Sequence, residues 1–184
     1  MRLAGALLLA AALTACGGQS QADCPPAGAS PAASPNANAD PNLAASIPDA
    51  VAGQPVQLGT FCVTELGPLG GIETSSEMLD QLGVGLEDVT LAATSASIGT
   101  PGGTIYIGAY RYAGASAETL RDSFLRVLQH AADESGVDPE LEAVSIGGKQ
   151  AHRALGAIYY VSDDTLYSVQ GDDAKVEEVL EALP

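Results

Sequence analysis

Tryptophan is absent from this chain and basic residues are scarce: seven Lys and Arg stand against 23 Asp and Glu, a formal net charge of −16. No base occurs between Arg2 and Arg111. Binding nucleic acid needs a basic footprint on phosphate, which this composition excludes. The same imbalance argues against docking on anionic lipid headgroups by charge alone, and fits a soluble, self-repelling extracytoplasmic domain. Aromatics are only 4% of the residues, yet hydrophobic residues reach 46%. That suffices for a real core, which must come mostly from Leu, Val, Ile and Ala. Histidine occurs twice. Neither histidine has a cysteine or carboxylate at ligand spacing, so the sequence indicates no metal site and no cofactor.

No apolar run is long enough to cross a bilayer. Residues 3–14 form an uncharged apolar stretch behind Arg2. As a helix it would rise about 18 Å, against a hydrocarbon core of about 30 Å. It reads as a secretion signal. The stretch ends Leu13-Thr14-Ala15-Cys16-Gly17. This closely resembles the bacterial lipobox, the recognition pattern of lipoprotein signal peptidase. Small side chains at 14 and 15 admit a protease to the backbone, and the thiol at 16 supplies the nucleophile for a diacylglycerol thioether. The resemblance covers the leader alone. It implies cleavage before Cys16, with Leu13, Thr14 and Ala15 as the recognition residues. It also implies a membrane partner through the lipid and an extracytoplasmic location, on the cell membrane or on an outer membrane in a two-membrane source. Two or more acyl chains make a stable anchor.

Residues 17–46 are dominated by Ala, Pro, Ser, Asn and Gln. Such a segment buries too little surface to offset its chain entropy, so the expectation is a disordered tether followed by a single domain over 47–184. With Cys16 committed to lipid, Cys24 and Cys62 remain, an even number in an oxidising compartment. The expectation is a Cys24–Cys62 disulfide, the alternative being a buried free Cys62 and an unpaired Cys24.

Within 47–184, hydrophobic periodicity predicts strands over 56–63, 89–98, 104–112 and 141–146. Helices are predicted over 74–82, where Thr74 and Glu77 have capping-box spacing, and after Ser116 to Gly136. Along 104–112 the odd positions carry Ile105, Ile107 and Ala109, and the even ones Tyr106, Tyr110 and Tyr112. Gly147-Gly148 is a two-residue hairpin signal. Strands over 149–155, 157–161 and 165–169 come next, then a helix over 174–183 capped by Asp172 or Asp173. Up to residue 146 the order strand–helix–strand–strand–helix–strand is that of the ferredoxin-like fold. The fold class expected is α+β, a mainly antiparallel sheet with helices on one face, extended by a C-terminal hairpin and helix.

No catalytic set emerges. The serines lack a nucleophile elbow. Lys149 comes after two glycines without phosphate-loop spacing. His130 is expected on an exposed helix face and His152 at or near the surface. Asp163-Asp164 and Asp172-Asp173 lie at opposite ends of a strand, too far apart to share a metal. One candidate ligand patch is drawn from Arg111, Lys149 and Arg153, all in predicted strands. With the tyrosines of 104–112 it could take an anion or a peptide; the alternative is ion pairing within an acidic domain. The function expected is therefore a non-catalytic envelope module that binds or senses a protein, peptide or small ligand. The alternatives are an enzyme with a site assembled from scattered residues and a carrier of an apolar ligand.

Overall fold

The computed structural model describes residues 24–67, 69, 71–94, 98–100 and 103–184. Leu13, Thr14, Ala15 and Cys16 lie outside the described residues. The chain opens with the short helix α1 (Pro41–Ala45) and a two-stranded ribbon, β1 (Ala50–Val51) and β2 (Gln54–Pro55). β3 (Leu58–Cys62), α2 (Val63–Leu66) and α3 (Ser76–Leu82) lead to β4 (Val89–Thr94), β5 (Ile98–Thr100) and β6 (Gly103–Tyr112). The long helix α4 (Ala117–Ser135) precedes a four-strand meander: β7 (Glu142–Ile146), β8 (Lys149–Ala154), β9 (Ala157–Ser162) and β10 (Thr165–Gly171). Helix α5 (Asp173–Ala182) closes the chain.

The fold is α+β, built on one eight-stranded sheet in the order β3-β4-β6-β10-β9-β8-β7, with β5 also on β6. Every strand pair in it is antiparallel. The ferredoxin-like order along the chain therefore does not bring ferredoxin-like pairing. That fold sets its first and third strands side by side in parallel, whereas here β3 pairs antiparallel with β4 and the C-terminal meander inserts β10 beside β6. Short turns at Gly147-Gly148, Leu155-Gly156 and Asp163-Asp164 make this easy, because antiparallel neighbours need only two-residue connections. Gly147 (φ 59°) also lies against α5, where a Cβ would come within 2.9 Å of Glu181 Cγ.

Helices cover both faces, not one. Ile105, Ile107 and Ala109 of β6 pack with Tyr167 and Val169 of β10 beneath α1 and α5, through Leu43, Val176, Val179 and Leu180. On the opposite face Tyr112, Leu91 and Leu166 pack beneath α3 and α4, through Met78, Leu120, Phe124 and Leu128. The cause is the alternation in β6: both of its parities are apolar, so each face needs a cover. Phe124 sits 4.7 Å from the Tyr159 ring, centroid to centroid. Tyr112 is wholly buried and its hydroxyl donates to Glu73 O at 2.6 Å. The cap of α3 is Ser75, whose Oγ accepts from Met78 N, rather than Thr74, which lies in a 3-10 turn. Ser116 and Gly136 bound α4 as expected.

The segment expected to be a tether is folded from Cys24 onward. Cys24 and Cys62 are joined as a disulfide, Cα to Cα 5.4 Å. Asn38 bridges Thr60 alongside β3, and Ala32 N donates to Glu65 O at 3.1 Å. Asp40 then caps α1, accepting from Leu43 N at 3.0 Å, with Pro41 at the first helical position. Leu43, Ile47 and Val51 enter the core. Asp40 is 4% exposed. Its carboxylate also accepts from Thr90 Oγ1 at 3.1 Å and from Arg111 Nη1 at 2.6 Å, while its N–H donates to Thr60 Oγ1 at 2.9 Å. The domain boundary thus moves upstream of Ile47. A low average hydrophobicity concealed one fully buried leucine and one fully satisfied carboxylate.

Two losses of stability are expected. Asp40→Ala removes a helix cap and leaves Arg111 with only Asp164 at 3.5 Å. Breaking a buried ion pair costs on the order of 3 kcal/mol or more, and urea unfolding should show it, with Asp40→Asn losing less because asparagine still caps. Reducing the disulfide releases a loop of sequence separation 38, and the chain-entropy relation sets the loss at about 4 kcal/mol. Thermal melts with and without reductant measure it.

Candidate functional site

The three strand bases and the tyrosines do not form one patch. Arg111 lies on β6, opposite Thr165 of β10, and projects to the α1 and α5 face. Its Nη1 is taken by Asp40, and its Nε stands 3.5 Å from Asp164 Oδ1, close enough for an ion pair but without a hydrogen bond. Arg153 is paired with Asp173 at the start of α5, at 3.3 Å. Lys149 Nζ donates to the Pro184 carbonyl at 3.1 Å and sits 5.0 Å from the Tyr160 ring centre. Tyr160 donates to the same carbonyl at 2.8 Å. Each base is thus engaged by its own partner, as an acidic domain favours. Tyr110 and Tyr112 turn to the opposite face from Arg111 and pack under α3 and α4.

Arg111 nevertheless forms part of the floor of an open cleft of about 920 Å³. Helix α1 contributes Asn42 and its cap Ser46, the N-cap of α4 contributes Ser116, the end of β9 contributes Ser162, and the β9–β10 turn contributes Asp163 and Asp164. Tyr167 sits below them, its hydroxyl 3.0 Å from Ser46 Oγ, which in turn donates to Leu43 O. Burial pushes the Tyr167 phenol above its usual range, so it remains a donor. A single guanidinium faces Asp40 and Asp164, with Asp163 on the lining as a third carboxylate. The cleft is therefore net acidic and disfavours a free anion, one of the two ligands expected for Arg111 from the sequence. None of its lining residues is a histidine or cysteine. Among its hydroxyls, Ser116 caps α4 and Thr165 donates to Asp164.

A smaller cavity, about 390 Å³, lies on the other face, lined by Arg121, Phe124, Lys149, His152 and Tyr159 among others. Burial first, and Arg121 second, lower the His152 pKa, which keeps the imidazole neutral. No serine, threonine or cysteine lines this cavity. His130 is exposed on α4 and donates from Nδ1 to Glu77 Oε2 of α3 at 2.9 Å, with Glu134 3.9 Å from Nε2. The Glu77 hydrogen bond, then its charge, raise the His130 pKa. Asp163-Asp164 and Asp172-Asp173 sit at opposite ends of β10. Among the described residues no group of three or more His, Cys, Asp or Glu could hold a metal ion, and no helix is long and apolar enough to cross a membrane.

No protein-family model matches the chain, and neither does any curated protein or solved structure. Sequence reasoning selected Arg111 but missed Asp40, its partner. The dipeptide Asp40-Pro41 is a helix-start signature, a capping side chain before a proline at the first helical position, and could have flagged the segment.

The two histidines should titrate on opposite sides of 6.5. The raised His130 value means its contact with Glu77 stabilises the fold below about pH 6.5 and fades as pH rises through the folded value. The lowered His152 value means stability falls as pH drops from about 6.5 toward its folded value, because the unfolded chain then binds the proton first. NMR titration of the imidazole resonances measures both, and Glu77→Gln should bring His130 back toward 6.5 while leaving His152 in place.

Proposed function

We propose that this chain is a lipid-anchored extracytoplasmic binding module, tied to a membrane through Cys16 and presenting the polar cleft over Arg111 to a neutral or cationic envelope ligand, a peptide or a small molecule. The cleft is the observation that carries the binding reading. It is large enough for a ligand, its floor is fixed by the Asp40–Arg111 pair, and its charge is net acidic. Ser46, Ser116 and Thr165 are tied into helix caps and a turn, and the lining holds no histidine or cysteine, which favours binding over catalysis.

The resemblance of residues 13–16 to the lipobox supports the anchor, and the disulfide sets its geometry. Cys24 belongs to the domain through Cys62, so only residues 17–23 separate it from Cys16. Eight Cα steps reach at most about 26–29 Å. The domain is kept close to the bilayer instead of sweeping a wide volume, and its negative charge keeps it off anionic headgroups.

Cys16→Ser is expected to abolish acyl labelling and move the protein from the membrane fraction to the soluble one. Equal sedimentation of the variant with washed envelopes would reject the anchor. A photocrosslinking residue at exposed Asn42, on the cleft, should label a defined envelope component that the same residue at exposed Glu134 does not. Equal labelling from both positions would reject the cleft as the binding site.

A further inference from the structure

The two edges of the sheet differ. Along the outer side of β3 the N-terminal arm is hydrogen bonded, Ala39 N donating to Thr60 O and Thr60 N to Ala37 O, each at 3.0 Å. The chain closes that edge itself. At the other edge stands β7, paired only with β8. Gly147-Gly148 joins them as a two-residue turn, both φ positive, so Ile146 and Lys149 form a hydrogen-bonded pair. Alternation then points the N–H and C=O of Glu142, Val144 and Ile146 toward β8, and those of Ala143 and Ser145 outward. Among the described residues no backbone group bonds to this outward set. Folded proteins guard such an edge with lysine, proline or a bulge. β7 has no lysine or proline, and its register with β8 is unbroken. Glu142, Ala143 and Ser145 are exposed along it.

The strand is complementary to itself. Two copies set antiparallel about Val144 bring Ala143 of each opposite Ser145 of the other. Each of these pairs exchanges two hydrogen bonds, so all the outward N–H and C=O groups are used. The side chains there are small and leave no bulk between the copies. Charge permits the approach at this edge. Residues 141–155 hold one acid, Glu142, against two bases, Lys149 and Arg153, in a chain that is otherwise strongly acidic. In the paired register Glu142 lies opposite Ile146 of the second copy, whose neighbour on β8 is Lys149. Each acid is thus set toward a base of the other copy, and the carbonyl that Lys149 already meets leaves its charge uncancelled. The two Glu142 residues stand about 14 Å apart along the strands.

We propose that β7 is a self-association edge, where a second copy of this chain adds its own β7 antiparallel and two eight-stranded sheets become one. The pairing needs neither the cleft nor the lipid. Its contact is one five-residue strand from each copy, small beside a standard interface, so the dimer is reversible and concentration-dependent.

The test places single cysteines in the full chain, expressed with its leader, and reads covalent dimers on non-reducing gels after mild oxidation. Val144→Cys faces its own copy at a non-hydrogen-bonded position, Cα atoms about 4.5 Å apart, within disulfide reach. Glu142→Cys is more exposed but about 14 Å from its copy. Val144→Cys is expected to give at least about tenfold more dimer than Glu142→Cys or the parent chain. Adding Ser145→Pro removes an outward N–H from each copy and sets a ring in the path of the second strand, a change that an edge tolerates. It should cut the Val144→Cys dimer at least about tenfold, with circular dichroism unchanged. Adding Ser145→Ala, which keeps the N–H, should leave the dimer as it was. No more dimer from Val144→Cys than from Glu142→Cys or the parent chain overturns the pairing, whether or not the proline variant folds. A folded Ser145→Pro chain that crosslinks undiminished overturns it as well. So does a Val144→Cys bond to a different envelope protein in place of the dimer, which would assign the edge to that protein's strand.

Discussion

Asp40 receives Leu43 N, Thr90 Oγ1 and Arg111 Nη1 on its carboxylate and gives its own N–H to Thr60. Four segments meet at this one residue: the arm, β3, β4 and β6. A carboxylate withdrawn from water is tolerable only when its lone pairs are filled and a counter-charge is near, and both conditions hold here. The pair's contribution to net stability is modest by that logic. Its consequence is positional: with the acid fixed over Arg111, α1 can sit in only one place, and Leu43 enters the core beside β6 and β10. The polar cleft and the covered sheet face both depend on that placement.

The disulfide holds the other end of the same arm. Cys24–Cys62 and the Asn38–Thr60 bridge tie residues 24–38 alongside β3, while Asp40 and Leu43 tie helix α1 to the sheet. A segment of Ala, Pro and Asn could not hold itself folded by burial. Here it is held by one covalent bond, one ion pair and one buried leucine, each supplied with its partner by the sheet. Cysteine counting made the bond legible in advance. The ion pair was not legible, because Asp40 and Arg111 lie 71 residues apart and nothing in local pattern links them.

The strands and long helices were legible because each rests on local periodicity. The alternation of Ile105, Ile107 and Ala109 against Tyr106, Tyr110 and Tyr112 marked β6, and Ser116 and Gly136 marked α4. Both parities of β6 being apolar already implied two covered faces, yet the order of elements suggested one. The candidate base patch fared differently. Arg111, Lys149 and Arg153 fall in strands, as expected, but each is engaged separately, by Asp40 and Asp164, by the Pro184 carbonyl, and by Asp173. With acids in such excess, every base of this set finds a carboxylate or carbonyl before it finds another base.

By itself the sequence determined the excess of acidic residues, the α+β class and the positions of most strands and helices, since these arise from composition and from spacings of two to four residues. Only the tertiary structure decided which strands pair, that the sheet is covered on both sides, and that the arm from Cys24 belongs to the domain. It alone also placed a polar cleft over Arg111. The physical reason is range: periodicity acts within one element, whereas pairing, burial of Asp40 and the shape of a cavity are set by residues that meet only when the chain has closed on itself.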